Sequence, residues 1–146
     1  DILERVRETV AQVGLNKRQR RVNVARAFKL KDGLRETGGK NFVLVDDVYT
    51  TGATMSECAK VLKKAGAKSV YGACTHPMLS GKALERINAS EVEKIIVCDT
   101  IPLKIESPKI EVMSVSTVFS SAIERCFHNK SISSLFDVDK DKSLDN

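Results

Sequence analysis

The stretch VLVDDVYTTGAT, residues 43–54, decides the fold. Its opening apolar run has no polar interruption, the pattern of a strand buried on both faces in a parallel sheet. Two adjacent carboxylates, Asp46 and Asp47, follow at once, and then come hydroxyls and a glycine. With the strand ending at Val45, the acids emerge at the carboxyl edge of the sheet, while Thr50, Thr51, Gly52, Ala53 and Thr54 lead into a helix. Free N–H groups and the positive end of a helix dipole suit a phosphate, threonine hydroxyls add hydrogen bonds, and Gly52 lets the backbone approach closely. The carboxylates repel such a phosphate, so they must face sugar hydroxyls, which donate to carboxylates, or a hydrated Mg²⁺. A phosphorylated ribose satisfies both halves. The bland alternative is a pair of loop acids before a threonine-rich helix cap.

Working outward, the chain alternates strand and helix patterns. NFVLVDD reads as a buried strand, and TMSECAKVLKKAGA as a helix with Met55, Cys58, Val61 and Leu62 on one stripe and Gly66 as its stop. SVYGACT is the next strand, SGKALERIN a helix with Ser80 as N-cap, and EKIIVCD and IEVMSV two further strands. STVFSSAIERCFH is a last helix, starting near Ser116 or Thr117 and ending near His128. Upstream, Ile2, Leu3, Val6, Val10 and Val13 recur at helical spacing until Gly14, VARAFKL suits a short strand, and KDGLRETGGK is a loop. Strands separated by such helices imply right-handed crossovers and a mostly parallel sheet with helices on both faces, a Rossmann-like α/β architecture. Ligands of such sheets bind at the carboxyl ends of the strands, where the quoted stretch lies.

Charge divides the chain. Residues 1–40 hold 11 basic against 5 acidic residues, whereas the remainder holds 13 against 14, so the net +5 resides in the amino-terminal arm. Its densest part is NKRQRR, with Lys17, Arg18, Arg20 and Arg21. Few aromatics stand nearby to stack bases, which leaves a solvated loop or a clamp for a small polyanion ahead of a nucleic-acid patch. The organisation expected is a basic arm and flexible-loop region over 1–40, a core over 41–136 and an acidic tail without fixed structure over 137–146. No apolar run approaches the roughly 18 residues of a membrane helix, and the absence of a signal core leads us to expect a cytoplasmic protein or an excised fragment. Cys58, Cys74, Cys98 and Cys126 lie apart from one another without metal-ligand spacing and are expected to be reduced core thiols. His76 and His128 read as structural. Asp137, Asp139 and Asp141 alternate like the start of a calcium loop, but Lys142 takes the glycine's place.

FVLVDDVYTTGAT resembles the phosphoribosyl-diphosphate (PRPP) loop of the type I phosphoribosyltransferases: a hydrophobic strand, the acid pair, two variable residues, and Thr-Thr-Gly-x-Thr. The resemblance implies that Asp46 and Asp47 meet the ribose 2- and 3-hydroxyls with Mg²⁺ beside them, and that Thr50 to Thr54 surround the 5-phosphate. Thr50 stands where many purine-base members and the PRPP synthetases carry Asp, which favours the subgroup with Thr-Thr, as in orotate and ComF-like members. Upstream, RETVAQVGLNKRQRRVNVARAFKLK is similar to the segment before the same loop in ComF-like proteins, a likeness spanning residues 7–66. Downstream, residues 75–136 resemble the carboxyl-terminal end of ribose-phosphate pyrophosphokinase, the PRPP synthetase, through Thr75, His76, Ser80, Gly81, the Asp99-Thr100-Ile101-Pro102 turn and the terminal Ser131, Ser133 and Phe136. The implied function is binding of PRPP or ribose 5-phosphate with Mg²⁺, leading to phosphoribosyl transfer with Lys17, Arg18, Arg20 and Arg21 neutralising the departing pyrophosphate. The alternatives are a PRPP synthetase relative or fragment and a non-catalytic regulatory paralogue. The upstream pyrophosphate loop of a transferase and the ATP-binding half of a synthetase have no evident counterpart here, so a homo-oligomer or a complementing domain is the expected partner.

Overall fold

The computed structural model describes residues 2–6, 27–31 and 37–136. They fall into two compact units divided after Met113.

In the first unit, β1 (Leu3–Arg5) pairs antiparallel with β2 (Phe28–Leu30). The helix expected over residues 1–13 is thereby corrected at Leu3–Arg5. Backbone bonds that a helix would satisfy internally go across instead, from Val6 N–H to the Ala27 carbonyl at 2.9 Å and from Lys31 N–H to the Ile2 carbonyl at 3.0 Å. The pair is reinforced by a 2.8 Å Lys29–Glu4 ion pair and by the Arg5 guanidinium over the Phe28 ring. Ile2, Leu3 and Leu30 pack on the core, so tertiary contact overrides the helical spacing. Residues 7–13 lie outside the described residues. The strand expected in VARAFKL is present as β2.

The main sheet is parallel, with order β3 (Asn41–Val48), β4 (Ser69–His76), β5 (Ile95–Cys98), β6 (Ile110–Met113). Helix α1 (Ala53–Lys64) carries the chain from β3 to β4, and α2 (Ala83–Ala89) from β4 to β5. Met55, Ala59 and Leu62 of α1 and Ala83 and Ile87 of α2 join Val70, Cys74, Ile95 and Val97 of the sheet in one core. A Cβ at Gly72 would stand 2.4 Å from the Met55 sulfur. A bare backbone at that rung therefore lets α1 seat against β4. Gly66 ends α1 as expected, with φ +88° and the Ala67 N–H returning to the Leu62 carbonyl at 3.0 Å. Ser80 does not cap α2: that helix starts at Ala83 after Lys82, and Ser80 contributes its carbonyl to the Ala83 N–H at 3.3 Å.

The parallel sheet is flanked by helices as expected, and among the described residues of this unit both helices lie toward one core. Phe42 and Leu44 pack on the core, but the alternate residues Val43 and Val45 are 62% and 80% exposed, and Tyr71, paired with Val43, is exposed too. The reason is that α1 and α2 both contribute to the core on the Phe42 and Val70 side. Among the described residues β3 is also an edge of its sheet.

The second unit contains α3 (Ser116–Phe127) and a 3₁₀ turn, Ser133–Leu135, joined by Arg125 Nη1, which donates to the Ser131 carbonyl and, at 2.7 Å, to Ser134 Oγ. Val115 holds the capping position of α3, and Ser114 Oγ receives the Ser116 N–H, so the local cap lies before Ser116 or Thr117. His128 follows the last helical residue, as expected. Of the cysteines, Cys58 and Cys74 are buried, Cys98 is half-buried and Cys126 is exposed, so the core-thiol expectation is corrected at Cys126. Burial pushes the Cys58 and Cys74 thiols up to about 11, which keeps them protonated. No helix among the described residues is long and apolar enough to cross a membrane. The tail 137–146, with its alternating aspartates, lies outside the described residues.

Candidate functional site

The strand β3 runs three residues beyond the expected Val45, because β4 is equally long and the ladder continues through Asp46 opposite Cys74 and Val48 opposite His76. Both aspartates thus sit on the last rungs of the sheet. Alternation gives Asp46 a half-buried place on the core side and leaves Asp47 exposed. The Asp47 N–H donates to Asp46 Oδ1 at 3.0 Å, and the Val48 N–H donates to Asp47 Oδ1 at 2.7 Å. Burial first, and then the contact with Asp47, holds Asp46 above the usual carboxylate range; the Val48 N–H and the Asp46 contact hold Asp47 below it. Two adjacent carboxyls of this kind suit a ligand that offers hydroxyl donors or positive charge.

From Tyr49 the backbone turns, and four successive carbonyls are each held by a donor. Tyr49 O accepts from Leu79 N–H at 3.1 Å, Thr50 O from Ser80 N–H at 3.0 Å, Thr51 O from Arg86 Nη1, and Gly52 O from Ser56 N–H at 3.0 Å. With the carbonyls so engaged, the amides of Thr50 to Thr54 donate no hydrogen bond among the described residues. These amides include the orphan donors of α1's first turn, where the dipole is positive. Asp46 and residues 48–55 line one open concavity around them. Gly52 takes φ +71° and ψ +13°, and a Cβ there would lie 2.1 Å from the Tyr49 hydroxyl. Tyr49 itself is 2% exposed, and burial pushes its phenol up to about 12.

Of the residues singled out from sequence, Asp46, Thr50, Thr51, Gly52, Ala53 and Thr54 line this concavity, and Asp47 adjoins it through Asp46. Lys17, Arg18, Arg20 and Arg21 lie outside the described residues. Sequence reasoning missed Arg86, which reaches Thr51 from α2, and Tyr49 beneath Gly52. His76, just past the expected strand SVYGACT, ends β4 with Nδ1 2.9 Å from Thr100 Oγ1. That hydroxyl donates to the Thr75 carbonyl at 2.7 Å, which leaves it to accept from an Nδ1–H tautomer. The available signal was topological: α2 and the end of β4 adjoin the carboxyl edge of β3. Among the described residues no group of three or more His, Cys, Asp or Glu side chains could hold a metal ion. A Mg²⁺ bound by one or two carboxylates and completed by water or ligand oxygens does not require one.

A parallel α/β sheet with an acid pair and a free-amide loop at its carboxyl edge is consistent with a phosphoribosyltransferase-type fold. The Phosphoribosyl synthetase-associated domain family model matches residues 28–137, and the chain belongs to that family. It is 40% identical over 137 residues to the ribose-phosphate pyrophosphokinase of Campylobacter jejuni, covering 90% of this chain and 43% of that protein. It is 42% identical over 126 residues to ribose-phosphate pyrophosphokinase 2 of Enterococcus faecalis, covering 85% of this chain and 38% of that one. The crystal structure of phosphoribosylpyrophosphate synthetase from Mycobacterium smegmatis superposes with a TM-score of 0.64 at 30% identity over 72% of this chain and 35% of that one. The chain therefore spans about two fifths of the curated relatives it matches.

Proposed function

We propose that this chain supplies the ribose 5-phosphate site of a ribose-phosphate pyrophosphokinase and acts together with further sequence of the kind its longer relatives possess. The carrying observation is the run of four occupied carbonyls from Tyr49 to Gly52, which leaves the loop amides free beside a carboxyl pair. In this reading the amides and hydroxyls of Thr50 to Thr54 hold the 5-phosphate. Asp46 and Asp47 accept the ribose 2- and 3-hydroxyls, so that the sugar is oriented with its anomeric hydroxyl away from the loop. The two carboxyls fit Mg²⁺ because this ion takes one or two protein carboxylates and completes its shell with water or ligand oxygens; when bound, it supplies positive charge for ligand phosphate oxygens. Lys17, Arg18, Arg20 and Arg21 meet the diphosphate end. The exposed apolar residues and open edge of β3 support a homo-oligomer or complementing domain as partner, and a cytoplasmic setting belongs to the same reading.

Phosphoribosyl transfer from PRPP is the second reading, and Thr50 in place of an acid favours it. The ComF-like role is less well supported, because the 137-residue similarity to a pyrophosphokinase extends over most of the segment that suggested it. Calorimetry with Mg²⁺ tests the site: ribose 5-phosphate binds, and ribose without its phosphate binds far more weakly. Neutralising Lys17, Arg18, Arg20 and Arg21 together is expected to weaken PRPP binding more than ribose 5-phosphate binding. Equal affinity for ribose and ribose 5-phosphate overturns the phosphate assignment, and an equal loss for both phosphorylated ligands overturns the role of the basic segment.

Arg86 acts on this site through the loop. Arg86→Ala removes a charged donor from the Thr51 carbonyl, and the loss of about 1.5–3 kcal/mol is expected to appear as weaker ribose 5-phosphate binding. Arg86→Lys, which can still donate, recovers part of it. Titration of both variants checks this, and unchanged affinity in Arg86→Ala overturns it.

A further inference from the structure

Among the described residues, Leu79 with φ +39° and Asn129 with φ +51° are the two other than glycine in the left-handed region. They differ in chemistry. Asparagine tolerates that region, whereas a bulky apolar residue is strained there and has to be held by its surroundings. Leu79 is held from both sides: its half-buried side chain packs on the core, and its N–H donates to the Tyr49 carbonyl at 3.1 Å. The next N–H, that of Ser80, donates to the Thr50 carbonyl at 3.0 Å. Extended segments cannot pair in this way, because successive N–H groups of a strand point to opposite edges. The dihedrals of Leu79 set the angle between its own N–H and that of Ser80, so a left-handed residue at this junction brings two consecutive amides to two consecutive carbonyls.

Those carbonyls decide where the amides of the neighbouring loop go. In a trans peptide the C=O and the N–H of the following residue share a plane and point in opposite directions, and the described residues contain no cis bond. Holding the Tyr49 and Thr50 carbonyls toward Leu79 and Ser80 therefore turns the Thr50 and Thr51 N–H groups the other way. Arg86, at the Thr51 carbonyl, does the same to the Gly52 N–H. Thr50, Thr51 and Gly52 line the concavity, and their amides donate to nothing among the described residues. The bracing segment is itself fixed at both ends, by the Met78 N–H on the His76 carbonyl at 3.0 Å and the Ala83 N–H on the Ser80 carbonyl at 3.3 Å.

We propose that Leu79 is a positioning residue for the phosphate monoester held by the loop 50–54: its left-handed backbone turns the Leu79 and Ser80 amides onto the Tyr49 and Thr50 carbonyls and so sets the direction of the Thr50 and Thr51 amides that meet the phosphate. This rests on the ribose 5-phosphate reading of the site and deepens it. Leu79 touches no ligand and acts through two peptide planes. What counts at this position is then backbone conformation and not apolar bulk, and the two rank substitutions in reverse. Retained bulk places Val above Ala and Ala above Gly, whereas tolerance of positive φ places Gly above Ala and Ala above Val.

The experiment titrates ribose 5-phosphate with Mg²⁺, and inorganic phosphate, into wild type, Leu79→Gly, Leu79→Ala and Leu79→Val, with thermal unfolding of each protein without ligand. The amide resonances of Thr50 and Thr51 are followed during the phosphate titration. Leu79→Gly is expected to bind both ligands best of the three variants, Leu79→Ala about five-fold more weakly than Leu79→Gly, and Leu79→Val most weakly. The two resonances are expected to move with phosphate in wild type and Leu79→Gly, and to move less in Leu79→Val. Should Leu79→Val not fold, Leu79→Gly and Leu79→Ala carry the comparison, since they differ by one methyl group. Affinities that follow bulk, with Leu79→Gly the weakest, overturn the proposal and leave the reading of the site intact. Equal affinities in the variants overturn it too, including the case in which only their unfolding midpoints differ, because they report a role in the fold alone. If wild type itself binds neither ligand, the ribose 5-phosphate reading fails and takes this role with it.

Discussion

Gly52→Ala is expected to lower the thermal unfolding midpoint and to weaken ribose 5-phosphate binding together, although it adds one methyl group. Two costs combine. The backbone at residue 52 has φ +71°, a region where an L side chain costs about 1–2 kcal/mol. The new Cβ would also stand 2.1 Å from the Tyr49 hydroxyl and 2.5 Å from two of its ring carbons. Tyr49 is 2% exposed, so its ring cannot swing into solvent without opening the core, and overpacking of this kind adds about 1–3 kcal/mol. The sum, about 2–5 kcal/mol, is a large part of the stability of a small domain. Whatever relief the chain finds must come from the loop, since β3 and α1 are fixed on either side by the sheet ladder and by the core, so the free amides lose their common focus. Differential scanning calorimetry and ligand titration check the two halves. An alanine variant with wild-type stability and affinity would mean that Tyr49 does not lie under the loop.

How much of this was legible in the sequence differs by element and has physical causes. β3, α1 and β4 were readable because each carries its own period over at least seven residues, and Gly66 marks a boundary by a conformation that few other residues adopt. The loop 50–54 was readable because its chemistry is local: hydroxyls, a glycine and a helix start in consecutive order. β1 was misread because three residues are too few to show a period, and its hydrogen bonds go to Phe28–Leu30, a partner more than twenty residues away. The end of β3 was misplaced because acids are poor strand formers by propensity, yet the ladder with β4 carries Asp46 to Val48 along. Arg86 was invisible for a related reason. Its carbonyl partner is 35 residues upstream, and its charge reads as one more solvated position on a short helix. The family resemblance downstream of Thr75 pointed to the pyrophosphokinases, whereas Thr50 drew the reading toward transferases; a single side chain in the loop weighed against some sixty residues of likeness.

Asp46→Asn should separate stability from binding, and the two should move in opposite directions. Asp46 is half-buried with its carboxyl against that of Asp47, so its ionised form is disfavoured and its pKa is raised. In the folded protein it therefore holds a proton more tightly than in the unfolded chain. The stability linked to this group is fully present below the unfolded value and is lost as pH rises through the folded one. Asparagine stays neutral throughout and still offers an amide N–H to Asp47. Asp46→Asn is thus expected to unfold at a slightly higher temperature than wild type at neutral pH, with the difference closing on acidification toward the ordinary carboxylate range. Asp47 has the opposite sign, since its lowered pKa favours the folded state above the unfolded value, but it is exposed and solvent screens the effect. Binding follows the charge. A carboxylate accepting a ribose hydroxyl is worth about 1.5–3 kcal/mol, so on the proposed ribose 5-phosphate reading the variant should bind that ligand about ten- to a hundred-fold more weakly and with less dependence on Mg²⁺. Inorganic phosphate, which has no hydroxyl for Asp46 and is repelled by its charge, should bind the variant at least as well as wild type. Thermal unfolding across pH, set beside titrations of the two ligands, reads all three effects. A variant that lost stability at neutral pH, or that lost phosphate and ribose 5-phosphate affinity equally, would show Asp46 to be a support of the strand end and not an acceptor for the sugar.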